Sequence, residues 1–431
     1  MTQLLALAQK ITRSEGLRQS GLTVVGNTLS TGLSAIALLL ISRALGPTSF
    51  GQFSVGFAII IMLNKFNDMG LNAAMIKYAG ASESQDERLA IFSFAARIKL
   101  FLSIAILAVG IIFTPWLDSI LKFGSPKILY LSFGLSIVSS WYEQLLTMLQ
   151  TMHRFTQAVL INTIQATTKL IGIGFLVSLN LGASLPVFIW YMASPVVSIM
   201  FSHKLLPASV SLFSISDKLS IKTKSLIMQM ARHSALGFIA AGIIENIDIL
   251  FVQKYLTAYE TGLLGGVSRI AMMITLVAYS VGNVLYPRVA RYKTRQHLIP
   301  YFKKAILTAF AAIAAFILFI PFARLSVVLT IGQEYLPGVN VLYLLAASAF
   351  LTVATIPFLA LFYTFKADWY FSVSGVIQLI IILAGNGIYV PIYGLEAAAI
   401  TRLVARLVLF AFTTVAAYIV LRKHLNDQKT T

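Results

Sequence analysis

Residues Ala241–Phe251 read AGIIENIDILF and set two carboxylates, Glu245 and Asp248, into an otherwise aliphatic run with Asn246 between them. In water such a run is the core face of a soluble helix. In lipid it is part of a membrane span, and its acids then need a reason to be there. Composition decides between the two. Of 431 residues 58% are hydrophobic and 11% charged, with a mean hydropathy of +0.85, against roughly 25% charge in a soluble domain. So few charges cannot coat the water-facing surface of a chain this long, and the apolar remainder must meet acyl chains.

A membrane-spanning helix needs about 20 mostly apolar residues. Windows of that kind fall at 21–42, 52–76, 91–113, 127–149, 157–179, 185–206, 235–256, 263–286, 303–322, 337–363, 371–391 and 395–421. With the N-terminus inside, the inner segments hold 23 Lys and Arg (the run Lys77–Lys99 among them) and the outer segments hold 5. That asymmetry places both termini in the cytoplasm. The net charge of +18 is therefore read as inner loops and contacts to anionic lipid headgroups; no nucleic-acid partner is expected. Leu4, Leu7, Ala8 and Ile11 share a helical face, so the N-terminal segment reads either as a helix lying on the cytoplasmic surface or as a frayed tail.

The longest polar connection, 207–234, splits the windows six and six. The expected domains are an N-terminal six-helix bundle at 1–206, a cytoplasmic linker at 207–234, and a C-terminal bundle with a short tail at 235–431. LGPTSFGQFSVG from Leu45 and LTAYETGLLGGV from Leu256 match in character at an offset of 211, pairing Gly51 with Gly262. Because six is even, the second half enters the membrane as the first does. The fold expected is an all-α integral membrane protein, twelve transmembrane helices in two six-helix bundles related by a pseudo-two-fold axis along the membrane normal. Transporters built from such repeats hold substrate between the halves near mid-depth.

With Lys77–Lys99 assigned to an inner segment and the charges at window ends to the connections, nine ionisable residues are read as lying within the spans: Lys65, Asp68, Glu143, Lys169, Glu245, Asp248, Arg269, Arg402 and Arg406. Each would cost about 2.5–3.5 kcal/mol at the centre of a lipid-facing helix, so most must face one another or water. Lys65 with Asp68, Glu245 with Asp248, and Arg402 with Arg406 are three or four residues apart, and each pair shares a helix face. Lys65 and Asp68 read either as a self-neutralising pair or as part of a site. Glu245 and Asp248 are like-charged, with no cation within four residues. Both cannot stay ionised cheaply in a low dielectric, so one holds a proton, a cation such as H+ or Na+ sits between them, or a lysine or arginine from another helix answers them. The first two arrangements couple ion movement to conformation, with Asp68 as a further candidate. The cations Lys65, Lys169, Arg269, Arg402 and Arg406 would hold an anionic substrate, arginine gripping phosphate through paired donors; for Arg269 and Arg402 the other reading is a head that snorkels to water.

Pro195 and Pro357 fall inside windows, the GNG at Gly385–Gly387 is expected to interrupt the eleventh helix, and GLLGG at Gly262–Gly266 reads as a packing face. The chain has no cysteine, which excludes disulfides and thiol chemistry. It has no phosphate loop, HExxH or GxSxG, and five scattered histidines. No enzyme activity, metal site or cofactor beyond a coupling ion is expected.

Arg43, Gly46, Pro47 and Gly51 in RALGPTSFGQF, followed by Asp68 in NDMGL, give Ile41–Gly80 a form that resembles the opening of polysaccharide flippases of the O-antigen and exopolysaccharide type. These belong to the multidrug/oligosaccharidyl-lipid/polysaccharide exporter superfamily. The resemblance implies a bacterial inner-membrane protein moving undecaprenyl-pyrophosphate-linked oligosaccharide units across the bilayer by ion-coupled alternating access. Polysaccharide polymerase and chain-length regulator proteins are the implied partners. Lipid II flippases of the superfamily usually have two further helices, which twelve windows do not supply. The alternative is a cation-coupled multidrug exporter with Glu245 and Asp248 binding an organic cation. Five interior cations favour an anionic substrate.

Overall fold

The computed structural model describes residues 15–430 except 180–182, 208–209, 214–218, 290–291, 293 and 366–368; the N-terminal surface helix or tail expected at Leu4–Ile11 lies outside them. The described elements are helices: α1 Glu15–Asp68, α2 Leu71–Ala81, α3 Gln85–Leu121, α4 Pro126–Thr151, α5 Phe155–Ser178, α6 Ser184–Ser202, α7 Ile221–Tyr255, α8 Ala258–Val289, α9 Arg295–Thr330, a 3-10 turn Gln333–Gly338, α10 Val339–Phe365, α11 Trp369–Tyr393 and α12 Leu395–Thr430. Ten stretches are long and apolar enough to cross a bilayer. One of them, Val25–Asp68, is 44 residues, twice the about 20 a single crossing needs, and breaks into two limbs at Gly46. With α4, each of the twelve expected spans finds a helix. The chain is an all-helical, multi-pass membrane protein.

The breaks follow from local chemistry. Gly46 adopts φ 66 and ψ 172, a backbone state that side chains with a Cβ resist. Pro47 then starts the second limb, its fixed φ and missing N–H suiting a first helical turn. Between α1 and α2, Met69 and Gly70 both have positive φ, 43 and 79. The Asp68 carboxylate bridges that break, accepting the N–H of Gly70 at 3.2 Å and of Asn72 at 3.1 Å, so donors at the start of α2 are capped from the preceding helix. Gly385–Gly387 do not interrupt α11, which runs unbroken to Tyr393. Gly385 instead permits close packing, since a Cβ there would lie 2.5 Å from Thr401 Cγ2.

The chain forms two compact units. Unit one comprises 1–44, 59–118 and 124–239; unit two comprises 45–58, 119–123 and 240–431. Unit one has a core of Met75, Ile91, Phe92, Leu145, Met148 and Ile161, joined by Val210, Leu212 and Leu219. Those last three belong to the stretch expected to be a cytoplasmic linker at 207–234. Val210, Leu212 and Leu219 are buried and the Phe213 ring packs on Trp141 at 5.0 Å, while residues 221–234 are already the first turns of α7. These three buried side chains fasten the stretch to unit one. Unit two has its own core around Leu298, Ala305, Phe358, Phe362, Ala417 and Leu421.

Other faces are apolar and uncovered. On α3, Phe101, Ile111 and Ile112 are exposed, and on α9 so are Leu307, Phe310 and Leu318. A soluble surface does not carry apolar faces of this extent; here they suit lipid.

Within unit two the second limb of α1 crosses the start of α8 at glycines. A Cβ on Gly51 would lie 1.9 Å from the Ala258 carbonyl oxygen, and one on Gly262 would lie 1.7 Å from the Pro47 carbonyl oxygen. Each added Cβ would also come 3.0 Å from the other glycine's backbone nitrogen. Pro47 and Ala258, like Gly51 and Gly262, are separated by the offset of 211. The sequence repeat is thus realised as a helix crossing whose two sides are equivalent. The rest of GLLGG packs as well, Gly265 against Ser54 and Phe50, Gly266 against Tyr335.

Candidate functional site

In unit one the ionisable residues pair differently from their spacing. Lys65 and Asp68 share a face of α1, yet the ion partner of Lys65 is Glu143 on α4, at 4.0 Å, and that of Asp68 is Lys99 on α3, at 3.8 Å. Glu143 also accepts Asn64 Nδ2 at 2.6 Å. Lys99 is wholly buried and donates to the Ser140 carbonyl at 3.0 Å. The sequence reading counted Lys99 among the inner-loop cations, and the structure corrects this: it lies within α3, between Ile98 and Leu100. Its position inside the apolar window 91–113 was the signal. Two lysines and two carboxylates therefore tie α1, α3 and α4 together with balanced charge, and Asp68 serves at once as the cap of α2 and the counter-ion of Lys99.

Replacing Lys99 with methionine removes the cation but leaves Asp68 its two backbone donors. We expect a loss of about 2 kcal/mol, below the 3–5 typical of a buried pair broken without compensation. It would be read as a lower melting temperature in detergent, with Asp68→Asn in the same chain restoring part of it.

Lys169 on α5 is half-buried and sits over the Tyr191 ring of α6 at 4.5 Å, a cation–π contact that offsets part of its desolvation. Buried serines line the same helices; Ser194 and Ser198 return their hydroxyls to backbone carbonyls.

In unit two α7 and α12 meet through charge. Arg402 directs Nε and Nη2 to Asp248 Oδ2, both at 2.6 Å, and Nη2 also reaches the Glu245 carbonyl oxygen at 3.0 Å. Asp248 is buried and Glu245 is exposed. The open question about the two carboxylates thus has a structural answer for one of them: an arginine 154 residues away in sequence neutralises Asp248. The neutralisation is incomplete in hydrogen bonds, because Asp248 Oδ1 is buried without a partner. Asn386 Oδ1 on α11 is in the same condition, its Nδ2 being taken by the Ile382 carbonyl.

These orphaned oxygens belong to one neighbourhood. Ile244, Ile382 and Ala405 pack as a cluster; Asp248 and Asn386 each lie four residues further along their helices, and Gly387 approaches the Phe251 ring at 3.6 Å. Asn386 and Gln378 escaped the sequence reading because a lone amide in an apolar window carries no charge to flag it. Arg406 donates to Gln378 Oε1 at 3.0 Å, and Arg269 on α8 lies over the Phe57 ring of α1 at 4.4 Å. The five candidate substrate cations therefore fall two in unit one, Lys65 and Lys169, and three in unit two, Arg269, Arg402 and Arg406. Among the described residues no group of three or more His, Asp or Glu is placed to hold a metal ion.

Apolar helices in this number, with charged pairs held inside them, define a polytopic membrane protein. The comparisons sharpen that class. The profile of the family described as polysaccharide biosynthesis protein matches residues 17–293. Among solved structures, a lipid II flippase MurJ in an inward closed conformation superposes with a TM-score of 0.76 at 14% identity, covering 92% of this chain and 87% of that one. An inward-facing multidrug resistance MATE family transporter of the MOP superfamily gives 0.71 at 15% identity, covering 90% and 95%. A MOP superfamily transporter from Pyrococcus furiosus, reported with a binding pocket of reverse polarity, gives 0.54 at 16% identity over 93% and 95%. No curated protein matches the sequence at a significant level. The chain belongs to the polysaccharide biosynthesis protein family, and its fold is that of the MurJ and MATE transporters.

Proposed function

We propose that the protein is a flippase for an anionic lipid-linked oligosaccharide, moving undecaprenyl-pyrophosphate-linked repeat units across a bacterial inner membrane for O-antigen or exopolysaccharide assembly. Family membership supports the polysaccharide context. The observation that carries the mechanism is the Asp248–Arg402 pair with its orphaned Oδ1. A carboxylate bound to a guanidinium through one oxygen, with the other buried and unused, is an acceptor for H+ or Na+. When that ion arrives, Asp248 no longer needs Arg402, and the guanidinium is released to an anionic substrate group. When the ion leaves, Asp248 reclaims Arg402 and the anion is expelled. The ion and the substrate thus take opposite members of one pair, each freeing the other's site, which is the differential interaction an alternating-access cycle requires. Glu245, one turn away and exposed, supplies the ion's route to Asp248. Lys65, Lys169, Arg269 and Arg406 add positive charge for the pyrophosphate and acidic sugars, and Asp68 is the corresponding acid of unit one.

Glu245→Gln with Asp248→Asn should leave the protein inserted, at normal abundance, while export of surface polysaccharide stops. A strain carrying both changes that makes normal polysaccharide would remove the coupling role. The multidrug-exporter reading places a free acid in the pocket for an organic cation; an acid already occupied by Arg402 favours the anionic substrate.

A further inference from the structure

The basic stretch before the seventh span does more than the positive-inside rule requires, because it borders an open cavity. Ser225, Met228, Gln229, Arg232 and His233, all on the first turns of α7, line a cavity of about 480 Å³. They stand at i, i+3, i+4, i+7 and i+8, one face of the helix. At 1.5 Å per residue the row is about 12 Å long. Four of the five offer hydrogen-bond donors: a hydroxyl, a carboxamide, an imidazole and a guanidinium. Between residues 218 and 244 the sequence has no carboxylate, so nothing along this stretch of helix opposes an incoming anion. A row of donors this long suits an anion with several acceptor oxygens spread along it, with arginine able to hold two at once.

The next turn changes character. Leu236, eleven residues after Ser225 and on the same face, is 78% exposed. Together with Met228, whose thioether adapts to irregular apolar shapes, it adds an apolar strip to the donor row. A polar head of several oxygens followed by an apolar chain is the form of a prenyl diphosphate.

We infer that this face of α7 is a receiving site for the diphosphate group of a polyprenyl-linked lipid, with Arg232 as its principal anchor. The inference rests on the flippase reading and deepens it, adding a site none of whose residues is among the ionisable groups within the spans. A diphosphate arrives either on a lipid or free in solution. The donor row recognises the shared head, and the apolar strip distinguishes the lipid.

The test uses the full chain in nanodiscs of zwitterionic lipid, with farnesyl diphosphate, farnesol and inorganic diphosphate as probes and binding measured by calorimetry. Farnesyl diphosphate should bind, and Arg232→Gln should weaken it about tenfold, which is 1.4 kcal/mol. Arg232→Lys should weaken it less, and Lys303→Gln, an exposed cation at the start of α9, should change it little. Inorganic diphosphate bound with the same Arg232 dependence and equal affinity would support the site but assign it to free diphosphate. Binding of farnesyl diphosphate unaffected by Arg232→Gln, binding of farnesol as tight as that of its diphosphate, or no binding by the unaltered chain would each overturn the inference. Surface-polysaccharide export separates it from the broader reading. Arg232-dependent binding in a protein whose deletion leaves export intact would sink the flippase reading and keep the site. Lost export on deletion with Arg232-independent binding would do the reverse.

Discussion

Gly262→Leu is expected to leave almost no folded protein, and Gly262→Ala to lower the melting temperature far more than the same change at Gly174. An added Cβ at this position would stand 1.7 Å from the Pro47 carbonyl oxygen, where real contacts essentially never fall below 3.0 Å. The obstacle is main chain, so no side chain can rotate away; the helices themselves must part by at least about 1.3 Å, the difference of those two distances. Overpacking in a close-packed interior costs typically 1–3 kcal/mol, and an insertion between two backbones belongs at or above the top of that range. Separation would also strip the dispersion contacts on which helix association in lipid depends. Equivalence of the two sides makes a second prediction from the first: Gly51→Ala, facing the Ala258 carbonyl at 1.9 Å, should be nearly as damaging. Gly174→Ala is the control, since nothing lies within 4 Å of a Cβ there and alanine is the better helix former. Thermal melting in detergent across the three variants decides the matter. A Gly262→Ala protein that melts with the unaltered chain would show that the crossing opens freely.

The same glycines show what sequence makes legible. Twelve windows were visible because the bilayer imposes a length and a composition on every span, and the offset of 211 was visible because a crossing that tolerates no side chain admits only glycine on both of its faces. Partner choice was not visible. Lys65 and Asp68 are neighbours on one helix, but lysine is long enough to reach another helix, and Asp68 is drawn to the amides of its own helix break; the ion pairs formed instead through residues 31 and 78 positions away. Lys99 was misplaced because charge counting assigns a cation near a window's edge to the adjoining loop, whereas burial depends on what α1 and α4 present to it. Gly385–Gly387 looked like a helix break because glycine signals both freedom and closeness, and only the approach of Thr401 chooses between them.

Removing Arg402 alone is expected to be more harmful than removing it together with the charge it answers. Asp248 is 3% exposed and the Arg402 side chain 22%, so Arg402→Ala strands a buried carboxylate whose Oδ1 already lacks a partner. Breaking a pair in this setting costs about 3 kcal/mol. The double variant Asp248→Asn with Arg402→Gln keeps the shapes and removes both charges, and its melting temperature should return to within a few degrees of the unaltered protein. Stability alone would then suggest that the pair is a packing device. Transport separates the two roles, because the proposed cycle needs a carboxylate to receive the ion and a guanidinium to receive the anion, and the double variant has neither. It should fold and fail to export polysaccharide. If the pair only holds α7 to α12, restoring stability restores export as well, and recovery of surface polysaccharide by the double variant would dissolve the exchange mechanism while leaving the fold as described.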